Sequence, residues 1–97
     1  MKFEVFISDR ANETFDYIRD QLEIKWNDKV VIEFEEKVVR ILELIKSSPF
    51  MFKGLSHNEN IRKALIHRNC SMFYEIKGHA VLILFFWDNR QDPIFLQ

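Results

Sequence analysis

The sequence predicts an α+β domain made of one N-terminal strand, an α-helical hairpin and a three-stranded antiparallel meander. Three stretches of patterning support this prediction. Apolar residues alternate near the N-terminus, recur at helical spacing from about position 11 to position 45, and alternate again beyond position 60. Alternation is typical of half-buried strands, and recurrence every three or four residues is typical of amphipathic helices. We therefore expect the helical hairpin to cover one side of a small sheet.

The first strand and the first helix lie before Trp26-Asn27-Asp28, a segment that interrupts the apolar pattern. Residues 3–7 alternate in β-favouring side chains, which indicates a short strand. Ser8 or Asp9 is expected to cap the helix that follows, because either side chain can accept a hydrogen bond from a free backbone N–H. The apolar stripe of this helix consists of Ala11, Phe15, Ile18 and Leu22.

The second helix, which starts from Asp28, carries the stronger apolar pattern of the two. Its outer side pairs Glu33 with Lys37 and Glu36 with Arg40, and a pair at this spacing stabilises an isolated helix by about 0.2–0.5 kcal/mol. Pro49 ends the helix, because the residue before a proline is pushed out of the helical region. The inner face consists of Val31, Phe34, Val38, Ile41, Leu42 and Ile45.

Three strands follow the hairpin. Residues 61–66 alternate in character, Arg68-Asn69 forms a plausible turn, and residues 70–76 alternate again. Lys77-Gly78-His79 supplies the second turn. Residues 80–87 are apolar at every position, which is typical of a strand that is covered on both faces.

The last strand therefore requires cover on the side that the helices do not reach. A binding partner is one source of that cover. The C-terminal residues Ile94-Phe95-Leu96 folding back over the sheet are another, and curling of the sheet on itself is a third. The pattern alone leaves these interpretations open.

Composition indicates a single soluble domain spanning residues 1–97. The net charge of −1 provides no general attraction to nucleic acid. Cys70 has no second cysteine to pair with, which favours a reducing compartment and a buried, inert thiol. The N-terminus does not resemble a signal peptide, and the longest apolar run falls far short of the roughly 20 residues of a membrane helix. We expect a cytoplasmic protein without a membrane association.

Neither a cofactor nor a metal is predicted. The sequence contains no glycine-rich phosphate loop and no arrangement typical of a nucleophilic triad. Its metal-binding residue types lack standard zinc spacing, and predicted turns separate them. They are His57, His67, Cys70 and His79.

The order of the elements resembles the RelE/ParE toxin superfamily over nearly the whole chain. In the helical half the likeness lies in Tyr17-Ile18, Trp26 with its polar turn, Phe34, the aliphatic series Val38, Ile41, Leu42 and Ile45, and Pro49. In the sheet half it lies in Ile61-Arg62, Met72-Phe73-Tyr74-Glu75-Ile76, Val81 to Leu84, and the closing Arg90-Gln91-Asp92-Pro93. Among these motifs the closing segment is the most telling.

The resemblance implies a toxin that a cognate antitoxin holds inactive, but it leaves the target open. Some members of the superfamily cleave mRNA on the ribosome, and others inhibit DNA gyrase. In the nucleases the ribose 2′-hydroxyl attacks the adjacent phosphate, a reaction that needs a base, an acid and cations. Two assemblies are compatible with the resemblance, a homodimer and a toxin-antitoxin hetero-oligomer.

The resemblance assigns nuclease positions to Arg62 and Arg90, and each guanidinium could bind a phosphate through two hydrogen bonds. Lys53 could add positive charge, His67 could act as a base, and Tyr74 could orient a base or a nucleotide. The aromatic or histidine that the nucleases carry near the C-terminus is not evident, because residues 91–97 contain no proton-transfer group suited to neutral pH. Structural roles are an equal alternative for both arginines, and a structural role is favoured for His67 and Tyr74. Candidates for contact with a target are Arg62, Arg68 and Arg90.

Three functions remain open at this stage. The leading hypothesis is a ParE-like toxin that inhibits DNA gyrase by binding it, and the second is a RelE-like ribosome-dependent mRNA endonuclease. The third is a non-toxic interaction module with the same fold. In each case the antitoxin is expected to cover apolar surface of the sheet and the helical hairpin. The candidate residues for that contact are Leu82, Leu84, Phe86 and Trp87.

Overall fold

The computed structural model describes residues 2–90, which form two helices and a five-stranded sheet. The order of the strands in the sheet is β1-β5-β4-β3-β2, with β1 parallel to β5 and every other pair antiparallel. The predicted α+β class is confirmed, and the short strand β2 extends the predicted meander. The elements are β1 Glu4–Ile7, α1 Asp9–Lys25, α2 Asp28–Ser47, a 3-10 turn Pro49–Met51, β2 Gly54–Leu55, β3 Asn58–His67, β4 Cys70–Lys77 and β5 Ala80–Asp88.

Both helices begin at a side-chain cap. The Oγ of Ser8 accepts a hydrogen bond from the backbone N–H of Ala11 at 3.0 Å, and the Oδ1 of Asn27 accepts one from Val30 at 3.1 Å. Each cap satisfies one of the N–H groups that the first turn of a helix leaves free. The interruption predicted around Asn27 is therefore a start signal for α2.

The hairpin and the sheet share one apolar core on the inner side of the helices. Phe15 stacks on Phe34 with ring centroids 5.4 Å apart, and it meets Phe86 edge-on at the same distance. Arg19 donates a 3.0 Å hydrogen bond to Glu35, which links α1 to α2. The predicted inner faces are confirmed, since the core or its border contains Ala11, Phe15, Ile18, Leu22, Phe34, Val38, Ile41, Leu42 and Ile45, and Val31 is buried as well.

The predicted charge pairs on the outer side of α2 do not form. Among residues 2–90 no ion pair within 4.0 Å joins Glu33 to Lys37 or Glu36 to Arg40. All four side chains instead line a groove beside the hairpin.

A bulge in β5 changes which face its side chains occupy. Tyr74 pairs with Ile83 while Phe73 pairs with Phe85, so that Leu84 is an extra residue. Beyond a bulge, the alternation of inward and outward side chains is offset by one position. As a result Phe86 lies in the core at 5% exposure, whereas the sequence prediction grouped it with Leu82 and Leu84.

Side chains from the cap and the first turns of α1 form hydrogen bonds with the backbone of β5 where β1 stops. Ile7, the last residue of β1, lies opposite Ile83. Past that point the Oγ of Ser8 donates to the carbonyl of Leu84 at 2.9 Å, and the N–H of Phe86 donates to the Oγ1 of Thr14 at 2.8 Å. Buried backbone polar groups need such partners, so these two hydroxyls fix α1 against the bulged part of the strand.

An aromatic pair marks the sheet face that the helices do not cover. Phe73 and Phe85 stack with centroids 4.9 Å apart, and both are buried. The guanidinium of Arg10 lies 4.5 Å from the Phe85 ring centroid, and the ammonium of Lys63 lies 6.0 Å from that of Phe73. The suggested cover by Ile94-Phe95-Leu96 lies outside the described residues. Within residues 2–90, neither helix has the length and apolar character needed to span a membrane.

Candidate functional site

The candidate residues of the sequence analysis fall into two separate regions. Arg62 and Tyr74 lie beside the loop that follows α2, together with Lys53. His67, Arg68 and Arg90 line the groove at the other end of β3. Five residue-to-residue steps of extended strand lead from Arg62 to His67, which corresponds to roughly 17 Å. The fold therefore divides the proposed nuclease residues between two places.

The groove lies between the helical hairpin and the β3–β4 turn and has a volume of about 700 Å³. Its apolar lining includes Ile18, Leu22, Val30, Phe34 and Ile66. Its charged lining is mixed, with five basic residues, Lys25, Lys37, Arg40, Arg68 and Arg90, and three acidic residues, Glu33, Glu36 and Asp88. A surface of this kind suits a ligand that has both apolar and charged groups more than it suits a uniformly anionic one.

His67 is held in the groove wall by the turn that it begins. Its Nδ1 accepts a hydrogen bond from the backbone N–H of Asn69 at 3.0 Å. Burial lowers the pKa of His67 below its usual value, and the nearby charges of Lys37, Arg90 and Arg68 lower it further. The ring is therefore neutral at pH 7. Because Nδ1 is the acceptor, the single ring proton lies on Nε2, which leaves His67 a hydrogen-bond donor at that atom.

Arg90 forms an ion pair with Asp88, the last residue of β5. Its Nε donates to Oδ1 of Asp88 at 3.0 Å, and its Nη2 donates to Oδ2 at 2.8 Å. The hydrogen bonds from Arg90 hold the pKa of Asp88 below its usual value, although partial burial opposes the shift. The Nε and Nη2 donors that bind Asp88 are the ones that a two-point contact with a phosphate would use.

Arg68 is exposed in the turn between β3 and β4, and its side chain makes no ion pair within residues 2–90. Its carbonyl accepts a 3.4 Å hydrogen bond from the side chain of Asn89. Asn89 in turn donates its backbone N–H to Asn69 at 2.8 Å. These contacts fasten the end of β5 to the turn.

Arg62 binds backbone carbonyl groups from two segments. Its Nη1 donates to Phe52 at 2.7 Å and to Phe50 at 3.1 Å, and its Nε donates to Glu59 at 2.8 Å. The guanidinium also lies 5.1 Å from the Phe50 ring centroid. The contacts of Arg62 therefore hold the loop in one conformation.

Tyr74 fastens the same loop from inside the core. Its side chain is fully buried, and its hydroxyl donates to the carbonyl of Pro49 at 2.6 Å. Burial raises the pKa of Tyr74 to about 12. The phenol is thus protonated at neutral pH, and its hydrogen bond is directed to the backbone. Lys53 is exposed nearby, and its carbonyl accepts from the N–H of Lys63 at 3.2 Å.

Sequence reasoning missed several residues that the structure brings into these regions. Lys37 and Arg40 were assigned to outer-face pairs, and they line the groove. Phe50 was not among the candidate residues, and it is 57% exposed beside Arg62. The contact of Phe50 with Arg62 could not be found from spacing because it joins residues 12 positions apart. Within residues 2–90, no group of three His, Cys, Asp or Glu side chains is arranged to hold a metal.

Comparison with solved structures places this architecture in a known fold. Over 90% of its length the chain superposes on 96% of a chain from the chromosomal ParDE TA system from P. aeruginosa, with a TM-score of 0.73 and 16% identity. The chain has the RelE/ParE toxin fold. It also matches the E. coli DinJ-YafQ toxin-antitoxin complex, with a TM-score of 0.68, 8% identity, and coverage of 93% of this chain and 96% of that one.

Other proteins with the RelE/ParE toxin fold are equally distant in sequence. The YoeB dimer from Staphylococcus aureus matches with a TM-score of 0.64 and 16% identity, over 90% of this chain and 97% of that chain. No protein-family model and no curated protein matches the sequence. The likeness to ParDE, YoeB and YafQ therefore establishes the fold, and the choice of target rests on the side chains.

Proposed function

We propose that this protein is the toxin of a type II toxin-antitoxin system and that it inhibits DNA gyrase by binding it, without cleaving a bond. The similar structures, which include toxin-antitoxin complexes, support the toxin part of the proposal. The choice of a binding mechanism rests on one observation. The side chains that would form a nuclease site are already bonded within the protein.

The two arginines illustrate this occupancy. Arg62 donates three hydrogen bonds to backbone carbonyl groups, and Arg90 donates two to Asp88. To bind a phosphate in two-point fashion through its Nε edge, either guanidinium would first have to break hydrogen bonds that this edge already donates. Their separation along β3 and β5 adds to the cost, since one phosphate could not contact both without a rearrangement.

The groups that would transfer protons are equally unsuited to catalysis. The free nitrogen of His67 is the protonated one, so a base would have to use Nδ1, which already accepts from Asn69. Tyr74 is buried, and its raised pKa disfavours the phenolate. Both observations favour a protein that acts by contact.

The charge of the groove supports the same choice. Three acidic side chains, Glu33, Glu36 and Asp88, are interspersed with the five basic ones of the groove, and the whole chain has a net charge of −1. RNA binding gains much of its affinity from cations that replace the counterions of phosphate groups. A protein partner can satisfy both signs of charge.

A cognate antitoxin is part of the proposal. Leu82, Leu84 and Trp87 are half-buried on β5 and remain candidates for its binding surface, whereas Phe86 belongs to the core. Leu65 is 55% exposed on β3 and adds apolar surface to the sheet. Co-expression with the antitoxin is expected to raise solubility and to protect cells. A free toxin that is monomeric, highly soluble and unable to bind a hydrophobic dye would contradict this part.

The test is inducible expression in bacteria without an antitoxin, with plasmid supercoiling and mRNA integrity followed over the first minutes. Growth arrest with relaxed or cleaved DNA and intact mRNA is the expected result. Codon-phased cuts in translated mRNA that disappear in Arg62→Ala would instead establish the RelE-like alternative. Unaffected growth with soluble, folded protein would favour the non-toxic interaction module.

A further inference from the structure

We propose that the loop after α2, Pro49 to Lys53, is the element that contacts the target protein, with Phe50 and Met51 as its apolar anchors. The inference rests on the function proposed above and deepens it by naming the contact surface. Phe50 and Met51 are 57% and 55% exposed. Phenylalanine, methionine and arginine are enriched in protein interfaces, and all three residue types meet here.

Hydrogen bonds and core packing hold the loop in place. Arg62 donates to the carbonyl groups of Phe50 and Phe52, and the buried hydroxyl of Tyr74 donates to that of Pro49. The side chain of Phe52 is packed into the core. The backbone is therefore fixed on both sides of the two exposed side chains.

The exposed ring of Phe50 is itself oriented by its neighbours. Phe3 meets it edge-on with centroids 6.4 Å apart, and the Arg62 guanidinium lies 5.1 Å from its centroid. Orientation before binding removes part of the entropic cost of forming an interface. These contacts position an apolar side chain that is more than half exposed, an arrangement suited to insertion into a pocket of a partner.

Charge identifies the kind of pocket. Arg62 and the exposed Lys53 flank the apolar pair and carry positive charge. Arg62 gives its hydrogen bonds to neutral carbonyl groups, so its charge is not cancelled by a carboxylate among residues 2–90. The fitting partner surface is an apolar pocket bordered by carboxylates. A nucleic-acid base could stack on Phe50 but not on Met51, which has no ring, so an apolar protein pocket that receives both side chains is the better match.

In this arrangement Arg62 and Tyr74 are positioning residues for a binding loop. The resemblance to the nucleases gave Arg62 a role in phosphate contact, and the structure gives it a role in shaping the loop. The two roles predict different outcomes for changes at Phe50 and Met51, which make no hydrogen bond through their side chains and are not candidates for catalysis.

The experiment compares the purified wild-type toxin with the double variant Phe50→Ala/Met51→Ala in a gyrase supercoiling assay. The matched control is Ile32→Ala/Val39→Ala, two apolar residues of α2 that are 54% and 58% exposed. Urea unfolding and co-purification with the antitoxin report the fold of each variant. We expect the loop variant to lose at least about tenfold in inhibitory potency, the loss typical of interface anchors, while its unfolding midpoint and antitoxin binding match those of the control.

Three outcomes decide the matter. If wild type and control inhibit gyrase and the loop variant inhibits equally well, the loop does not contact the target and the proposed function stands. If wild type itself leaves gyrase unaffected, the proposed function fails, and the loop assignment fails with it. If the loop variant alone loses potency but is also unfolded, two replacement variants are tested, Phe50→Leu/Met51→Leu and Phe50→Ser. Wild-type potency in the folded leucine variant together with lost potency in a folded Phe50→Ser variant supports the loop assignment. Full potency in Phe50→Ser overturns it.

Discussion

Replacing Tyr74 with phenylalanine removes one hydroxyl and leaves the rest of the buried ring in place. The lost group donates a 2.6 Å hydrogen bond to the carbonyl of Pro49. The variant leaves that carbonyl without its donor in the interior. An unsatisfied buried polar group costs about 1–3 kcal/mol, so we expect Tyr74→Phe to lower the free energy of unfolding by an amount in this range.

The sequence supplies a matched control, because its only other tyrosine is Tyr17. Tyr17 is 54% exposed, and a surface change of this kind usually alters stability by less than about 0.5 kcal/mol. Urea unfolding followed by circular dichroism measures both variants. For a domain of this size, a loss of 1 kcal/mol corresponds to a fall in Tm of about 4–8 °C.

The pH dependence of the same variant tests the burial of the phenol. The pKa of Tyr74 is about 12 in the folded protein and has a usual value of 10.0. Because the folded pKa is the higher one, stability from this group is fully present below about pH 10 and is lost as the pH rises through 12. The loss amounts to roughly 3 kcal/mol at high pH. Burial also raises the pKa of Cys70 to about 12, so the contribution of Tyr74 is the difference between wild type and Tyr74→Phe.

Two results would refute this reasoning. Equal stability of Tyr74→Phe and Tyr17→Phe at pH 7 would mean that the hydrogen bond to Pro49 is absent or already replaced by water. An identical loss of stability above pH 10 in wild type and Tyr74→Phe would mean that the Tyr74 phenol ionises as readily in the folded protein as in the unfolded chain.

Three further changes test other parts of the structure. Cys70 is buried and its pKa is raised, so an aromatic disulfide reagent at pH 8 should leave it unmodified until urea unfolds the protein; rapid modification of native protein would disprove its burial. Thr14→Val removes the acceptor of the Phe86 N–H, which should lower the free energy of unfolding by about 1–3 kcal/mol and accelerate hydrogen exchange at Phe86. Unchanged exchange would show that this hydrogen bond does not form. Arg90 lowers the pKa of Asp88, so wild type should lose stability below about pH 4 as the carboxylate is protonated. Urea unfolding at pH 7 and pH 3 should show that Asp88→Asn lacks this acid-dependent loss of stability. Equal pH dependence of the two proteins would count against the Asp88–Arg90 ion pair.

The helices could be predicted closely because their determinants are local. The stripe from Ala11 to Leu22 and the face from Val31 to Ile45 follow from a period near 3.6, and Ser8 supplies a cap directly before the first of them. Hydrogen bonds in a helix join residues four apart, so the sequence of each segment contains most of the information needed. The turn at Gly78, with φ of +57°, is local in the same sense, since glycine adopts this conformation without steric cost.

The sheet was less predictable because its pairing joins distant segments. The placement of β1 beside β5 depends on contacts between residues 4–7 and 80–83, which no local pattern records. The bulge at Leu84 could not be predicted from the sequence for a related reason. Alternation of polar and apolar residues normally fixes which side chains face the core, and an entirely apolar strand lacks that information. Phe86 was therefore assigned to the surface that Leu82 and Leu84 occupy.

The role of an arginine at a given position was also difficult to predict from the sequence, for a different reason. Arg62 is where the resemblance to the nucleases places a phosphate ligand, yet its three hydrogen bonds go to the loop carbonyl groups and to Glu59. Because Nε and Nη1 already donate to these carbonyl groups, only the N–H donors of Nη2 are left for a phosphate. The position of an arginine is a property of the sequence, but its availability depends on the conformation of the loop. The loop from Pro49 to Lys53 therefore decides whether this fold presents a phosphate ligand or an apolar contact surface, and the hydrogen bonds of Arg62 favour the contact surface.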